Sequence, residues 1–286
     1  MNKTRHPVVA GYFYPSRRED LITMIEWSFK HRYGPGSVPS PVEQGARKSV
    51  GYIVPHAGYM YSGPIAAHAY YDLAQDGVPQ IIIILGTNHT GRGEPVSVYP
   101  EGKWETPLGL LEVDHEFSKG IVKYSDIADL DEYAHLEEHS IEVQLPFIQF
   151  IFRDKVKIVP VVIGIHTPSV AEDLAESIIK TARELGRDIV VLASSDFNHY
   201  ESHSVTSMKD KKAIDRILEL DTQGFYNTII DNNISVCGPG GIMTLIEIAK
   251  RLKAKPVLLK YATSGDISGN KTAVVGYAAI KFTRSL

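Results

Sequence analysis

Gln80-Ile-Ile-Ile-Ile-Leu-Gly-Thr-Asn-His89 decides the fold: an apolar, β-branched run that stops at small and polar residues and then a histidine. Such a run, bounded by turn residues, reads as a strand. The pattern occurs three more times. Ser49–Val54 leads into Pro-His56-Ala-Gly, Ile158–Gly164 into Ile-His166, and Ile189–Ala193 into Ser-Ser-Asp196-Phe-Asn-His199. In an open α/β sheet, ligands sit in the crevice beyond the carboxyl ends of the strands. Histidine is both a frequent metal ligand and the usual acid–base group near neutrality. The chemistry of this chain is therefore expected at its strand ends.

Working outward, helical stretches alternate with these strands. Pro64–Ala74 carries small and apolar residues at helix spacing, and Ile141, Leu145, Ile148 and Phe152 form a core-facing stripe. Ser169–Leu185 ends at Gly186, an ordinary helix stop, and Met208–Leu220 and Gly241–Leu252 read as two more helices. Pro256–Thr263 and Ala273–Phe282 are strand-like and able to pair antiparallel across the intervening loop. This order predicts an α/β fold, a three-layer α/β/α sandwich with a central mixed, largely parallel sheet. Arg32–Arg47 is linker-like but lies too near the start to separate domains, so one domain over residues 1–286 is expected. Gly91–Gly109 reads as a long connection able to wall a pocket.

Composition narrows the function classes. Hydrophobic and charged fractions of 43% and 22% are ordinary for a globular protein. A net charge of −4 argues against a nucleic-acid partner, and the Lys209–Lys212 cluster reads as the solvated face of a helix. The N-terminus has no apolar segment of a signal peptide, and no run approaches the ~18 apolar residues of a membrane span. A cytoplasmic protein without a membrane partner is the expectation. The single cysteine, Cys237, excludes an internal disulfide.

Two imidazoles from neighbouring strand ends, His56 and His89, make most of a metal site. Cys237 is the natural third ligand. It precedes Gly-Pro-Gly-Gly and an apolar helix, a position that lowers a thiol's pKa and favours the metal-binding thiolate. The plainer alternative is a small buried apolar residue. Asp196 and His199 lie three apart, so the carboxylate can orient His199 as a general base; a helix N-cap is the competing reading. His139 stands between Glu138 and Glu142 at the start of the Ile141 helix, as a proton carrier or as part of ordinary acidic decoration. His166 has no partner in sequence, and His6, His31, His68, His115, His135 and His203 read as surface or core residues.

Taken together, Arg5-His-Pro-Val-Val-Ala-Gly-Tyr-Phe-Tyr-Pro15, Pro55-His-Ala-Gly-Tyr59, Gly86-Thr-Asn-His89, Thr106-Pro-Leu-Gly109, the Glu138–Glu142 stretch, Ser194-Ser-Asp-Phe-Asn-His199 and Cys237-Gly resemble the Memo family from end to end. That family is similar in structure to the LigB-like class III extradiol dioxygenases, which use non-haem Fe(II) held by two histidines and a carboxylate. The resemblance implies His56 and His89 as the histidine ligands, His199 as base, and Cys237 where a glutamate would stand. A thiolate there implies tolerance of copper or zinc as well as iron(II). The family likeness further implies a redox or oxidase-like activity on an unknown substrate, with a pathway link to a radical-SAM protein. Two other functions fit the same residues. One is a metal-dependent hydrolase with Glu138 or His139 as base. The other is a non-catalytic module whose pocket takes an anionic peptide or small molecule.

Overall fold

The computed structural model describes residues 3–43 and 47–284. In chain order the elements are β1 (Thr4–Arg5), α1 (Arg18–Lys30), β2 (Ser49–Val54), α2 (Tyr59–Gln75), β3 (Ile81–Thr87), β4 (Val96–Val98), β5 (Lys103–Thr106) and β6 (Gly109–Glu112). Next come α3 (His115–Tyr124), β7 (Ala128–Leu130), α4 (Leu145–Phe152), β8 (Lys157–Ile163), α5 (Pro168–Leu185), β9 (Ile189–Ser194) and β10 (His199–Glu201). The chain closes through α6 (His203–Leu218), α7 (Thr222–Asp231), α8 (Pro239–Arg251), β11 (Ala254–Thr263), α9 (Ser264–Ser268) and β12 (Val274–Arg284).

The four runs that end in histidine form the middle of a mixed sheet, in the order β2-β9-β3-β8, all parallel. Antiparallel pairing adds β12 beside β2, β4 beside β8, and β10 and β11 on β12, while β7 pairs parallel with β4. Parallel strands buried on both faces need apolar residues at every position. Accordingly the isoleucine run is shared between two cores. Ile81, Ile83 and Leu85 pack with residues of α3, α5 and α8, while Ile82 and Ile84 pack with α1, α2 and α4. Helices on both faces complete the α/β/α sandwich. A small second sheet, β1-β5-β6, carries Arg5.

Several boundaries differ from the sequence reading. Helix α2 begins at Tyr59, a turn and a half before Pro64, which therefore lies inside it and removes only its own N–H from the ladder. The stripe from Ile141 is buried as its spacing implied, but its first turn, Glu142–Gln144, is a 3-10 helix. Gly91–Gly109 is not one long loop: it contributes β4 to the main sheet and β5 to the small one. In the lysine cluster, Lys211 pairs with Asp215 at the surface, whereas Asp210 between the lysines is fully buried. Of the Arg32–Arg47 segment, 44–46 lie outside the described residues. No described helix is long and apolar enough to cross a membrane.

Close approach of backbones fixes how β2 sits against β9. A Cβ on Gly51 would stand 2.4 Å from the carbonyl oxygen of Val191 and 2.6 Å from Leu245 Cδ1. Gly51→Ala is thus expected to lower unfolding free energy by about 1–3 kcal/mol, the usual range for overpacking. Urea denaturation checks this, and an unchanged midpoint would show that the β2–β9 contact relaxes freely.

Candidate metal centre

The parallel middle strands deliver their carboxyl ends to one edge of the sheet. Since β9 lies between β2 and β3, His56 after β2 and His89 after β3 flank Asp196 after β9. A third imidazole enters from the loop before α4. His139 stacks on His89 at 4.4 Å between ring centroids, and His56 stands edge-on to both, at 5.3 Å from His89 and 5.4 Å from His139. One ligand nitrogen from each of His56, His89 and His139 lies within 4.8 Å of the others, so the three can hold a metal ion.

The hydrogen bonds assign which nitrogens are free. The hydroxyl of Ser194 donates to Ser140 O (2.6 Å), so it accepts from His56 Nδ1 at 3.0 Å and leaves His56 Nε2 with its lone pair. Gln144 Nε2 also donates to Ser194 Oγ (2.8 Å), while Gln144 Oε1 accepts from Tyr70 OH (2.6 Å). His89 Nδ1 donates to Glu138 Oε1 (2.9 Å), again leaving Nε2 free. Glu138 receives the His89 backbone N–H (2.7 Å) and the Ser140 N–H (2.8 Å) as well. Its Oε1 is 3.6 Å from His139 Nδ1. A carboxylate behind two ring nitrogens is the usual second layer of a metal site, fixing tautomer and ring orientation.

Electrostatics point the same way. Burial, then the charges of His139 and His89, push His56 well below the usual histidine range. His139 is lowered to about 4, by burial first and then by His89, against the opposing pull of Glu138. Burial alone would raise Glu138, but the bonds from His89 and Ser140 outweigh it and hold the carboxyl at about 2. With their affinity for protons lowered in this way, His56 and His139 are neutral lone-pair donors near pH 7.

Cys237 Sγ stands 3.0 Å from His56 Nε2 and accepts from the backbone N–H of Asp196 at 3.1 Å. Two donors sharing one ion at roughly 2.0–2.3 Å are spaced about 3 Å or more apart, yet the described residues whose ligand atoms all lie within 4.8 Å of one another are His56, His89 and His139, with Cys237 close to His56 alone. The thiol is not, however, lowered by the helix that follows. Burial and the Asp196 carboxylate push it up, although only the N-cap residue Gly238 separates it from the first turn of α8. The glycines after it serve close packing: a Cβ on Gly238 would be 2.6 Å from Ser194 O, and one on Gly240 2.7 Å from His166 Nδ1.

Asp196 and His199 do not pair. Asp196 Oδ1 accepts the His56 N–H at 2.8 Å, and burial lifts its carboxyl to about 7. His199 Nδ1 instead donates to Ser235 O (2.8 Å), which leaves His199 Nε2 unprotonated. His166, without a sequence partner, accepts from Gly240 N at Nδ1 and lies 3.2 Å from Thr87 Oγ1 at Nε2, so both its nitrogens are engaged. His135 is a core residue bonded to Ser97 O.

Two supporting groups were invisible in the sequence reading. Buried Glu142, spaced to share a helix side with Glu138, turns the other way. It pairs with Arg5 and accepts from Tyr14 OH (2.7 Å) and the Val8 and Val9 N–H groups (3.0 Å each). Arg5 also donates to Glu138 O at 2.8 Å, and Phe13 of the same segment packs on the His139 ring. On the other flank, Asp210 accepts from Asn198 N (2.9 Å) and Tyr261 OH (2.8 Å), and Asn198 Oδ1 holds Ser235 N (3.1 Å). The signals available were Arg5 in the N-terminal motif and an acid among lysines, neither interpretable without the contacts.

The comparisons with known proteins agree in extent. The family described as Memo-like protein matches residues 5–281. The chain is 64% identical to a protein of Desulfurococcus amylolyticus described as a MEMO1 family protein, across 98% of this chain and 99% of that one. It is 53% identical to a similarly described protein of Ignicoccus hospitalis, across 97% and 98%, and 52% identical to one of Sulfurisphaera tokodaii, across 97% and 99%.

Two outcomes follow from these contacts. Every group facing Glu138 donates, so the amide nitrogen of Glu138→Gln has nothing to bond; metal affinity measured calorimetrically is expected to fall about 10–100-fold. Asp210 titrates at about 7 when folded, raised by burial from a carboxyl's ordinary 3.8. Its folded-state preference is for the proton, so its contribution is complete below pH ~4 and lost as pH rises through 7. Unfolding curves of wild type and Asp210→Asn are expected to diverge in favour of wild type as pH is lowered from neutrality toward 4.

Proposed function

We propose a metal-dependent redox role for this chain, which belongs to the Memo-like protein family. The observation that carries the reading is three imidazoles with ligand atoms within 4.8 Å, and a sulfur 3.0 Å from one of them. A set of imidazoles and one soft sulfur suits iron, copper or zinc and disfavours magnesium or calcium. Iron(II) is the ion we favour, given the likeness of the family to non-haem iron oxygenases. When bound, such an ion supplies Lewis acidity and one-electron exchange.

His56, His89 and His139 would hold the ion, with Cys237 contributing its sulfur. A coordinated thiol is deprotonated outright, so the raised pKa of the free thiol does not oppose this. Glu138 and Ser194 keep His89 and His56 in the tautomer that presents Nε2. His199, with Nδ1 tied to Ser235 O, offers Nε2 as a proton acceptor, and the Asp196 carboxyl is the second proton-carrying group beside the imidazoles. The Phe13 ring against His139 shields that side of the cluster from water.

Anaerobic loading with Fe(II) followed by elemental analysis is expected to find one ion per chain. His56→Ala, His89→Ala and His139→Ala should each abolish stoichiometric binding. Cobalt substitution should give a near-ultraviolet thiolate charge-transfer band that Cys237→Ala removes; a band that is missing from the parent protein refutes the sulfur ligand. Iron that is oxidised by air and re-reduced by dithionite without leaving the protein supports the redox role. Retention of zinc alone, with iron rejected, would overturn it.

A further inference from the structure

A second site lies away from the histidines, where α1, the β5–β6 hairpin and the end of α4 enclose a cavity of about 780 Å³. Three cationic side chains line it: Arg18, Lys103 and Arg153. Arg18 spends one N–H on Leu108 O (2.9 Å). Among the described residues, the side chains of Lys103 and Arg153 have no bonded partner. Of the two carboxylates at its wall, Glu112 is taken by Lys157 at 2.8 Å, which leaves Asp154 as the one countercharge. The cavity is thus net positive on a chain whose overall charge is −4. Its floor is apolar, from Ile22, Leu110 and Phe150.

The backbone supplies an independent observation. Arg153 sits at φ 58°, ψ −122°, the first central position of a turn closed by Lys155 N–H to Phe152 O at 3.1 Å. That conformation is a glycine position in tight turns, because a Cβ crowds the adjoining peptide. An arginine there leaves the turn strained in a conformation that a glycine would adopt freely. Here the side chain lines the cavity beside Lys103 and Arg18.

We propose that this cavity binds a phosphorylated small molecule, its anionic group held by Arg18, Lys103 and Arg153 and its apolar part resting on Ile22, Leu110 and Phe150. A planar guanidinium matches phosphate oxygens two at a time, and Lys103 adds a point charge.

Calorimetry on the full chain with inorganic pyrophosphate, adenosine and ADP separates the two halves of the site. ADP is expected to bind at least about tenfold tighter than either pyrophosphate or adenosine. Arg153→Gly relaxes the turn while removing the charge, so it should raise the unfolding temperature and weaken ADP by about tenfold or more. Lys103→Ala should weaken pyrophosphate and ADP together and leave adenosine unchanged. Absence of saturable binding by all three probes overturns the proposal, as does ADP binding that neither substitution alters. Binding lost on chelation or in His56→Ala, with Arg153→Gly unaffected, would place the anion at the histidine cluster and refute this cavity.

Discussion

One carboxylate holds this site together. Glu138 sits in a loop far from β3 in sequence, yet its two oxygens take the ring N–H and backbone N–H of His89 and the N–H of Ser140. Three donors on one buried carboxylate leave it little freedom to protonate or turn. The tautomer of His89, the approach of His139 and the path of the loop into α4 are all set by that group. Removing the carboxylate altogether would orphan all three donors at once, which costs more than any single bond was worth.

Around it the polar groups are satisfied in layers. Tyr70, Gln144 and Ser194 form a chain that ends on His56, so the ring's orientation is decided by residues of α2, the 3-10 turn before α4 and β9. The Arg5–Glu142 pair does similar work on the opposite side, fastening the N-terminal segment over the loop that carries His139. A buried ion pair is weak evidence for stability, since desolvation offsets much of the attraction. Its position suggests another purpose: it fixes where Phe13 meets the imidazole. The site is therefore made partly from strand ends and partly from a strap that crosses them.

Mutual repulsion among the histidines has a chemical consequence. Burial and the neighbouring imidazoles lower the proton affinity of His56 and His139, so those two rings meet a cation as uncharged donors. Burial raises the proton affinity of Asp196, and burial together with the Asp196 carboxylate raises that of Cys237. A pocket that sets these neutral donors beside a raised thiol and an ionised Glu138 is suited to accept a positive ion and to release the thiol proton as it does so.

How much could be read in advance follows from period and burial. The isoleucine run and its three counterparts read as strands from their β-branched residues and the turn residues that bound them, so the largely parallel sheet and the edge bearing His56, His89 and Asp196 were legible from residue order. Positions within that edge were not. His139 read as a proton carrier or as part of an acidic helix start, and only its stacking on His89 placed it among the residues able to hold an ion; the pairing of Asp196 with His199 was a matter of spacing that the backbone ignored. Asp210 and Arg5 became meaningful only when Asn198 and Glu142 were found against them. Local pattern determined by itself which segments are strands, helices and the strand-end edge, because those depend on side-chain period along the chain. Only tertiary structure decided which nitrogen, sulfur and carboxylate meet, because such meetings depend on loop paths and buried hydrogen bonds between residues as much as 181 positions apart.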